Sequence, residues 1–338
     1  MKALILSDLH HGHNNSEFFL NYELGLFDWF KGIIQFMQLD SVFILGDIHD
    51  KQMTVNTKVS NLFAKKHEEL SGLVKNYVVL AGNHDCYYKT SNAITSLPLF
   101  VKNVATLVET EPFQLGNCFF IPWISPENAE KIKGFVSEHN SPDNYLFAHL
   151  EASGFKNGAI TTKHDQLYVS DYGKYKKVFT GHYHAKQEKG NMLYVGNCFQ
   201  KTFGELERKF VHVLDTDTGD IVEIENTNDI FRKVSVADKL ESEEIREAVE
   251  GCKGKIVKLY IDSVDFDYIN KVEMLMTEEQ PERIDVKTKN FVESFEDVEI
   301  DNSTEEEMNK QFLETIEYSS KEEQETVMGK FNEFWGRI

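Results

Sequence analysis

No stretch of this 338-residue chain approaches the roughly 18 consecutive apolar residues that a membrane helix needs. The opening run Ala3-Leu4-Ile5-Leu6 is too short for a secretory signal core and meets an acid at Asp8. It reads as the buried first strand of a cytoplasmic protein. Paired cysteines are also missing. Cys86, Cys118, Cys198 and Cys252 are scattered with no CxxC pair, which argues against a zinc knuckle or a disulfide framework and for reduced thiols. Basic excess is absent as well: 36 Lys and Arg face 56 Asp and Glu, for a formal net charge of −20. Proteins that grip nucleic acid alone usually carry a basic footprint. A DNA function would therefore draw on local charge, on bound metal cations or on a basic partner.

What is present suits an ordinary globular protein, 41% hydrophobic and 27% charged, long enough for one large domain and a smaller one. Short runs rich in β-branched and aromatic residues predict strands at Ala3–Leu6, Val42–Leu45, Tyr77–Leu80, Phe119–Ile121, Tyr145–Ala148, Val178–Thr180, Met192–Val195 and Phe210–Leu214. Helices are expected over Phe18–Met37 and Thr57–Lys75. Early strand–helix alternation followed by closely spaced strands predicts an α/β fold, a two-sheet sandwich. The pattern then restarts with a helix over Asp238–Val249, a strand over Lys255–Ile261, a helix over Tyr268–Thr277 and a strand over Arg283–Lys287. Three regions follow: 1–232, a small α/β module over 233–297, and a Glu-rich tail over 298–338. In the tail, Thr304 with Glu307 and Ser320 with Glu323 form capping-box patterns ahead of apolar stripes that include Phe312, Ile316, Phe331, Phe334 and Trp335.

Five segments carry the chemistry: Asp8-Leu9-His10, Gly46-Asp47, Gly82-Asn83-His84-Asp85, His149, and Gly181-His182-Tyr183-His184. Each falls at or just past the C-terminal end of an expected strand, where α/β sheets place ligand-binding loops. The glycines ahead of Asp47, Asn83 and His182 permit tight turns there. Carboxylates, imidazoles and one amide oxygen suit borderline divalent ions such as Mn²⁺, Fe²⁺ or Zn²⁺ better than Mg²⁺. The expected sets are Asp8, His10, Asp47 and His184 on one ion and Asp47, Asn83, His149 and His182 on a second. Asp47 is the bridge, and bridged ions roughly 3.5–4 Å apart activate a shared water and neutralise phosphoryl oxygens. His84, beside Asp85, is the candidate to stabilise the transition state or protonate the leaving oxygen. His13 is a candidate substrate contact, whereas His11 and His49 read as structural. One buried histidine alone is more often a core residue than a ligand; the five segments together point to metal.

The order DxH…GD…GNHD…H…GHxH resembles the calcineurin-like metallophosphoesterases. Ile121-Pro122-Trp123, Tyr194-Val195-Gly196-Asn197, the Phe203-Gly204-Glu205 run, the small module and the acidic tail extend the resemblance. It reaches the SbcD-type nucleases related to the meiotic-recombination-eleven repair nuclease, and within them the recombination endonuclease subunits of T-even-like phages. It covers essentially the whole chain, by motif in the first domain and mainly by arrangement in the last third. The resemblance implies a Mn²⁺-dependent DNA exonuclease and endonuclease, with Mg²⁺ or other divalent ions as substitutes. It implies a partner ATPase of the SbcC or Rad-fifty type that binds the tail helices, a module that caps the site, and a homodimer, for which Phe18–Met37 and the region near Leu62 are candidate faces. Cellular members carry His three residues after the bridging aspartate where this chain has Asp50, here either a substrate contact or a hydrogen-bond acceptor behind the ligands.

Two other readings compete. A phosphatase or small-molecule phosphodiesterase on the same fold is one, but phosphatases of the superfamily continue the second motif as Asp-Arg-Gly, and here it reads Asp50-Lys51-Gln52. A non-catalytic scaffold would have lost ligands, and all are present.

Overall fold

The structure, a computed structural model, describes residues 1–289 apart from Asn15 and Ala159. The expected tail helices, with Phe312, Ile316, Phe331, Phe334 and Trp335, lie outside the described residues. The first half runs β1 (Lys2–Leu6), α1 (Glu17–Met37), β2 (Ser41–Ile44), α2 (Thr57–Ser71), β3 (Asn76–Leu80), α3 (Pro98–Val101) and β4 (Thr106–Val108). Then come β5 (Phe113–Leu115), β6 (Cys118–Phe120), α4 (Ala129–Glu138), β7 (Tyr145–His149), the short pair β8 (Lys156–Asn157) and β9 (Ile160–Thr161), and α5 (Val169–Tyr172). β10 (Lys177–Gly181), β11 (Gln187–Lys189), β12 (Met192–Tyr194), β13 (Lys209–Asp215) and β14 (Ile221–Asn226) complete the sandwich.

Two six-stranded sheets face each other, in the orders β14-β13-β1-β2-β3-β4 and β11-β12-β10-β7-β6-β5. β1 to β4 are mutually parallel, as are β6, β7, β10 and β12. Strands with both faces covered read as continuous apolar runs, as Ala3–Leu6 and Tyr145–Ala148 do. One face of each sheet meets the other sheet across Ile5, Phe43, Leu45, Phe120, Phe147 and Phe179. The outer faces are covered by helices. α1 and α2 lay Phe27, Phe30, Ile34 and Phe63 on the first sheet, and α4 lays Ile132 and Val136 on the second. The stretch Phe18–Met37 thus spends most of its apolar residues on the chain's own core, though Phe36 is 90% exposed. Side-chain caps start both long helices: Ser16 Oγ accepts from Phe19 N–H, and Asn56 Oδ1 accepts from Lys58 N–H.

A separate three-stranded parallel sheet follows, β15 (Phe231–Val236), β16 (Ile256–Ile261) and β17 (Arg283–Thr288), crossed by α6 (Ser242–Val249) and α7 (Phe266–Glu278) around a core of its own. Its first strand was not among those expected, and it begins just ahead of residue 233. The first module helix starts at Ser242 rather than Asp238. Lys239 sits in the left-handed region at φ 63°, and Glu241 with Glu244 forms the cap. The unexpected strands β4, β5, β11 and β14 are short or border the sheets, where half-exposed positions blur the apolar pattern.

Phe147 is fully buried, stacked on Phe120 at 4.8 Å and on Phe179 at 5.3 Å between ring centroids. Phe147→Ala should destabilise the sandwich by about 3–5 kcal/mol. A urea midpoint within experimental scatter of the parent would show that the layer between the sheets collapses freely to fill the gap.

Candidate metal centre

Parallel strands deliver their C-terminal ends to one edge, so residues far apart in sequence meet there. Asp8 follows β1, Asp47 follows β2, Asn83 follows β3, His149 ends β7 and His182 follows β10. The joint between the two sheets is tight. Gly46 has φ +87°, and a Cβ on it would stand 2.6 Å from His149 Nδ1. At Gly82 the requirement is room rather than rotation, since a Cβ would meet Asp47 Oδ1 at 2.1 Å. The expectation of a tight turn therefore holds at Gly46, whereas Gly82 and Gly181 allow close approach of the strand ends. Backbone strain gathers here too. Asp8, His10, Asp47 and His182 all have positive φ, a conformation that costs about 1–3 kcal/mol per residue and persists only where the surroundings impose it.

Hydrogen bonds settle which nitrogen of each histidine faces inward. His149 Nδ1 lies 2.7 Å from the carbonyl of Leu45, and His184 Nδ1 lies 2.8 Å from Glu205 Oε1. Both Nδ1 atoms therefore carry the proton, and each Nε2 presents a lone pair. His149 Nε2 lies 3.1 Å from Asn83 Oδ1 and 3.5 Å from Asp47 Oδ2, while His182 Nδ1 lies 2.9 Å from the same Asn83 oxygen. Opposite them, His184 Nε2 lies 3.2 Å from His10 Nε2, which is 3.5 Å from Asp47 Oδ2 and 3.9 Å from Asp8 Oδ1. His149 Nε2, its proton being on Nδ1, can only accept, so it and the facing Asn83 and Asp47 oxygens repel unless a cation sits among them. Atoms bound about 2.1 Å from one ion stand roughly 3–3.5 Å from each other, which is the spacing found. Three overlapping groups of potential ligands result: Asp8, His10 and His184; His10, Asp47 and His84; and Asp8, Asp47 and His149. The donors fit divalent metal.

Charge agrees with geometry. Burial alone would raise the Asp8 carboxyl, but His149, His184, His10 and Lys201 hold it well below the usual carboxylate range. Burial, and then the charge of Asp8, pushes Asp47 up to about 7. Burial also pulls His10, His149 and His184 below the ordinary imidazole range, which keeps them neutral and able to ligate.

The structure separates two residues that the sequence paired. His84 Nδ1 lies 2.6 Å from the backbone carbonyl of Asp50, not against Asp85. Asp85 is buried and accepts backbone N–H bonds from Asp47, His49 and Gly82 at 2.8–3.0 Å, tying the second and third motif loops together. Burial, with the charge of Asp47, still pushes its carboxyl up. Asp50 Oδ1 stands 3.2 Å from His10 Nδ1 and 3.3 Å from His13 Nδ1, an acceptor behind a candidate ligand. His13 is half-exposed at that edge. His11 stacks on Phe63 at 3.8 Å and bonds Glu23, and His49 packs beside Phe100, so both belong to the core under α2 and α3. A cavity of about 650 Å³ opens over Asp47, His84, His182 and His184 and is bordered by Lys156 and Asn157.

Several neighbours had no role in the sequence reading. Glu205 orients His184, Glu151 Oε1 lies 3.4 Å from His182 Nε2, and Trp123 packs 5.3 Å from the His182 ring. Lys201 is buried with its ammonium on the Asp8 carbonyl. Trp123 and Glu205 stood in quoted runs, but nothing in their spacing shows what they touch.

Paired sheets with acids and histidines gathered at their strand ends define a two-sheet metallophosphoesterase. Residues 1–186 match the calcineurin-like phosphoesterase family, and the chain belongs to it. The chain is also similar to exonuclease subunit 1 of Enterobacteria phage T4, 26% identical over 246 residues that cover 69% of this chain and 70% of that protein. Divalent metal is thus the cofactor of the fold, and no helix among the described residues is long and apolar enough to cross a membrane.

Asp47 generates a pH prediction. Below about pH 7 an ion must displace the proton held there, whereas His10, His149 and His184, held below the ordinary imidazole range, are already neutral near pH 7. Apparent Mn²⁺ affinity should therefore fall about tenfold per pH unit below neutrality and level off above it. Titrations followed by calorimetry across about pH 5.5 to 8 check this; a slope of three or four protons would show that the histidines are charged in the metal-free protein.

Proposed function

We propose that this chain is a two-metal DNA nuclease that hydrolyses phosphodiester bonds. Asp8, His10, Asp47 and His184 hold one ion, and Asp47, Asn83, His149 and His182 hold the other. The observation that carries the reading is the pair of imidazole nitrogens, from His10 and His149, that stand 3.5 Å from Asp47 Oδ2 on two sides. The mixed nitrogen and oxygen donors suit Mn²⁺, Fe²⁺ or Zn²⁺ better than Mg²⁺, and Mn²⁺ is the ion that the family resemblance implies. Such ions neutralise phosphoryl oxygens and lower the pKa of water. The similar phage protein, an exonuclease subunit, supports a nucleic-acid substrate.

The chain's own groups divide the remaining work. The Asp50 carbonyl occupies Nδ1 of His84, leaving Nε2 as the nitrogen that can hold a proton for the departing oxygen. The His84 backbone N–H donates to Asp47 Oδ1 at 2.9 Å, so the same residue steadies the bridging carboxylate. Asp85 is a positioning residue for both loops, and Asp50 positions His10 and His13 where a strand enters. Lys156 at the cavity border offers an ammonium to the phosphodiester backbone.

The reading extends to the rest of the chain. Residues 1–232 form the nuclease domain and 233–297 a capping domain. Residues 298–338, with Phe312, Ile316, Phe331, Phe334 and Trp335, dock on an ATPase of the SbcC or Rad-fifty type by helix-in-groove contacts. The net charge of −20 fits a subunit that cuts while a basic partner supplies most of the grip on DNA. A homodimer and a cytoplasmic location complete the proposal.

The deciding assay is Mn²⁺-dependent cleavage of end-labelled duplex DNA, with bis(4-nitrophenyl) phosphate as control. Cutting is expected to be weak, steeply salt-sensitive and abolished by chelation. Hydrolysis of the small ester with no cutting of DNA would point to a small-molecule phosphodiesterase instead. His84→Gln should retain both ions and lose about 10²–10⁴-fold in turnover. Loss of a bound ion in that variant, measured by metal analysis, would make His84 a ligand and end its role as proton donor.

A further inference from the structure

Lys201 occupies an unusual place for an ammonium group. It is 3% exposed, in the loop between β12 and β13, and its Nζ donates to the backbone carbonyl of Asp8. The Phe199 ring lies 5.7 Å from Nζ to centroid, and the carboxylates of Asp8, Glu205 and Asp47 face the ammonium as opposing charge. A buried ammonium is costly unless hydrogen-bonded and opposed by negative charge. Those carboxylates supply the opposing charge, and the hydrogen bond to a backbone carbonyl has a geometric reason as well. Asp8 supplies that reason: φ is 55° there and 47° at His10, and these two left-handed residues flank Leu9. The turn they make aims the Asp8 carboxylate and the His10 ring to the same side.

The segment that carries Lys201 is held on both sides. Gln200 Oε1 accepts the N–H groups of Ile230 and Phe231 at 3.1 and 3.0 Å, where the small module begins. The Lys201 N–H donates to Glu205 Oε2 at 3.4 Å, and the other oxygen of Glu205 orients His184. Residues 200–205 thus form a fixed strut that reaches the first ion's ligands at two points. The points are the carbonyl of Asp8 and the ring of His184.

We propose that Lys201 is a positioning residue: its ammonium pins the Asp8 carbonyl and keeps the Asp8–His10 turn in the left-handed conformation that brings both side chains to one ion. The inference rests on the two-ion reading above.

The test is Mn²⁺ titration of the full chain, with ions counted by metal analysis and their coupling read by electron paramagnetic resonance. Lys201→Met keeps the length and apolar stem of the side chain and removes the donor. The parent should take up two ions with a spin-coupled spectrum. The variant should hold one ion, that of Asn83, His149 and His182, with parental affinity and an isolated-ion spectrum. Its second ion should bind about 10–100-fold more weakly. A merely stabilising lysine would lower the melting temperature and leave both affinities alone. Two ions bound equally well by parent and variant overturn the role of Lys201; one ion in the parent overturns the two-ion reading and this role with it. Should Lys201→Met fail to fold, lysine-selective nitrogen NMR of the parent gives the answer. A protected ammonium signal that moves when Zn²⁺ is added supports the proposal, and its absence or indifference to metal overturns it.

Discussion

Asp47 Oδ2 has imidazole nitrogens 3.5 Å away on two sides, from His10 and His149, and all three residues are buried at the base of the cavity. The carboxylate and the His149 Nε2 lone pair concentrate negative potential there, which a proton on Asp47 or a bound cation relieves. The surrounding fold is arranged to hold that unfavourable grouping together. Two sheets bring their parallel strand ends to one edge, and glycines let the ends touch. A layer of phenylalanines between the sheets supplies the rigidity that keeps left-handed residues where they would not otherwise stay. In such a design part of the stability gained from packing is used to preorganise ligands.

Orientation of the histidines follows from oxygens placed behind them. The Leu45 carbonyl, Glu205, Asp50 and the Asp50 carbonyl each face one ring nitrogen of His149, His184, His10 and His84 respectively. For His149, His184 and His84 this second ring of partners fixes which nitrogen is free to act. The same residue type serves a different purpose a few ångströms away. His11 and His67 lie in an aromatic layer with Phe27 and Phe63, where burial lowers their pKa and keeps them neutral. Neutral imidazole is the common requirement, met by burial in both settings, and only the direction of the lone pair separates ligand from core.

Acidity takes on a different meaning beside this site. A chain of net charge −20 repels polyanions at long range. Two divalent ions would reverse the sign within the cavity, where Lys156 already stands at the border. Reversal confined to the metal cleft would suit the proposed nuclease role, in which the chain would meet DNA at the bond to be cut and leave wider grip to a partner.

Much of this was legible in the primary structure. Apolar runs marked the central strands, and the motifs named the candidate ligands, because buried parallel strands and metal donors both demand particular residue types. Edge strands such as β5 and β14 were not legible, since half-exposed positions carry little pattern. Neither was the partner of His84. Adjacency to Asp85 suggested that pairing, yet the turn sends Asp85 to three backbone amides and leaves the ring to Asp50. Lys201 and Glu205 are in the same position. A lysine in a loop looks solvated until folding places it 193 residues away in sequence from its partner, against the carbonyl of Asp8. Residue type determined what could bind, because donor chemistry is local. Tertiary structure decided which atoms face one another, because that depends on distances between strands that only packing sets.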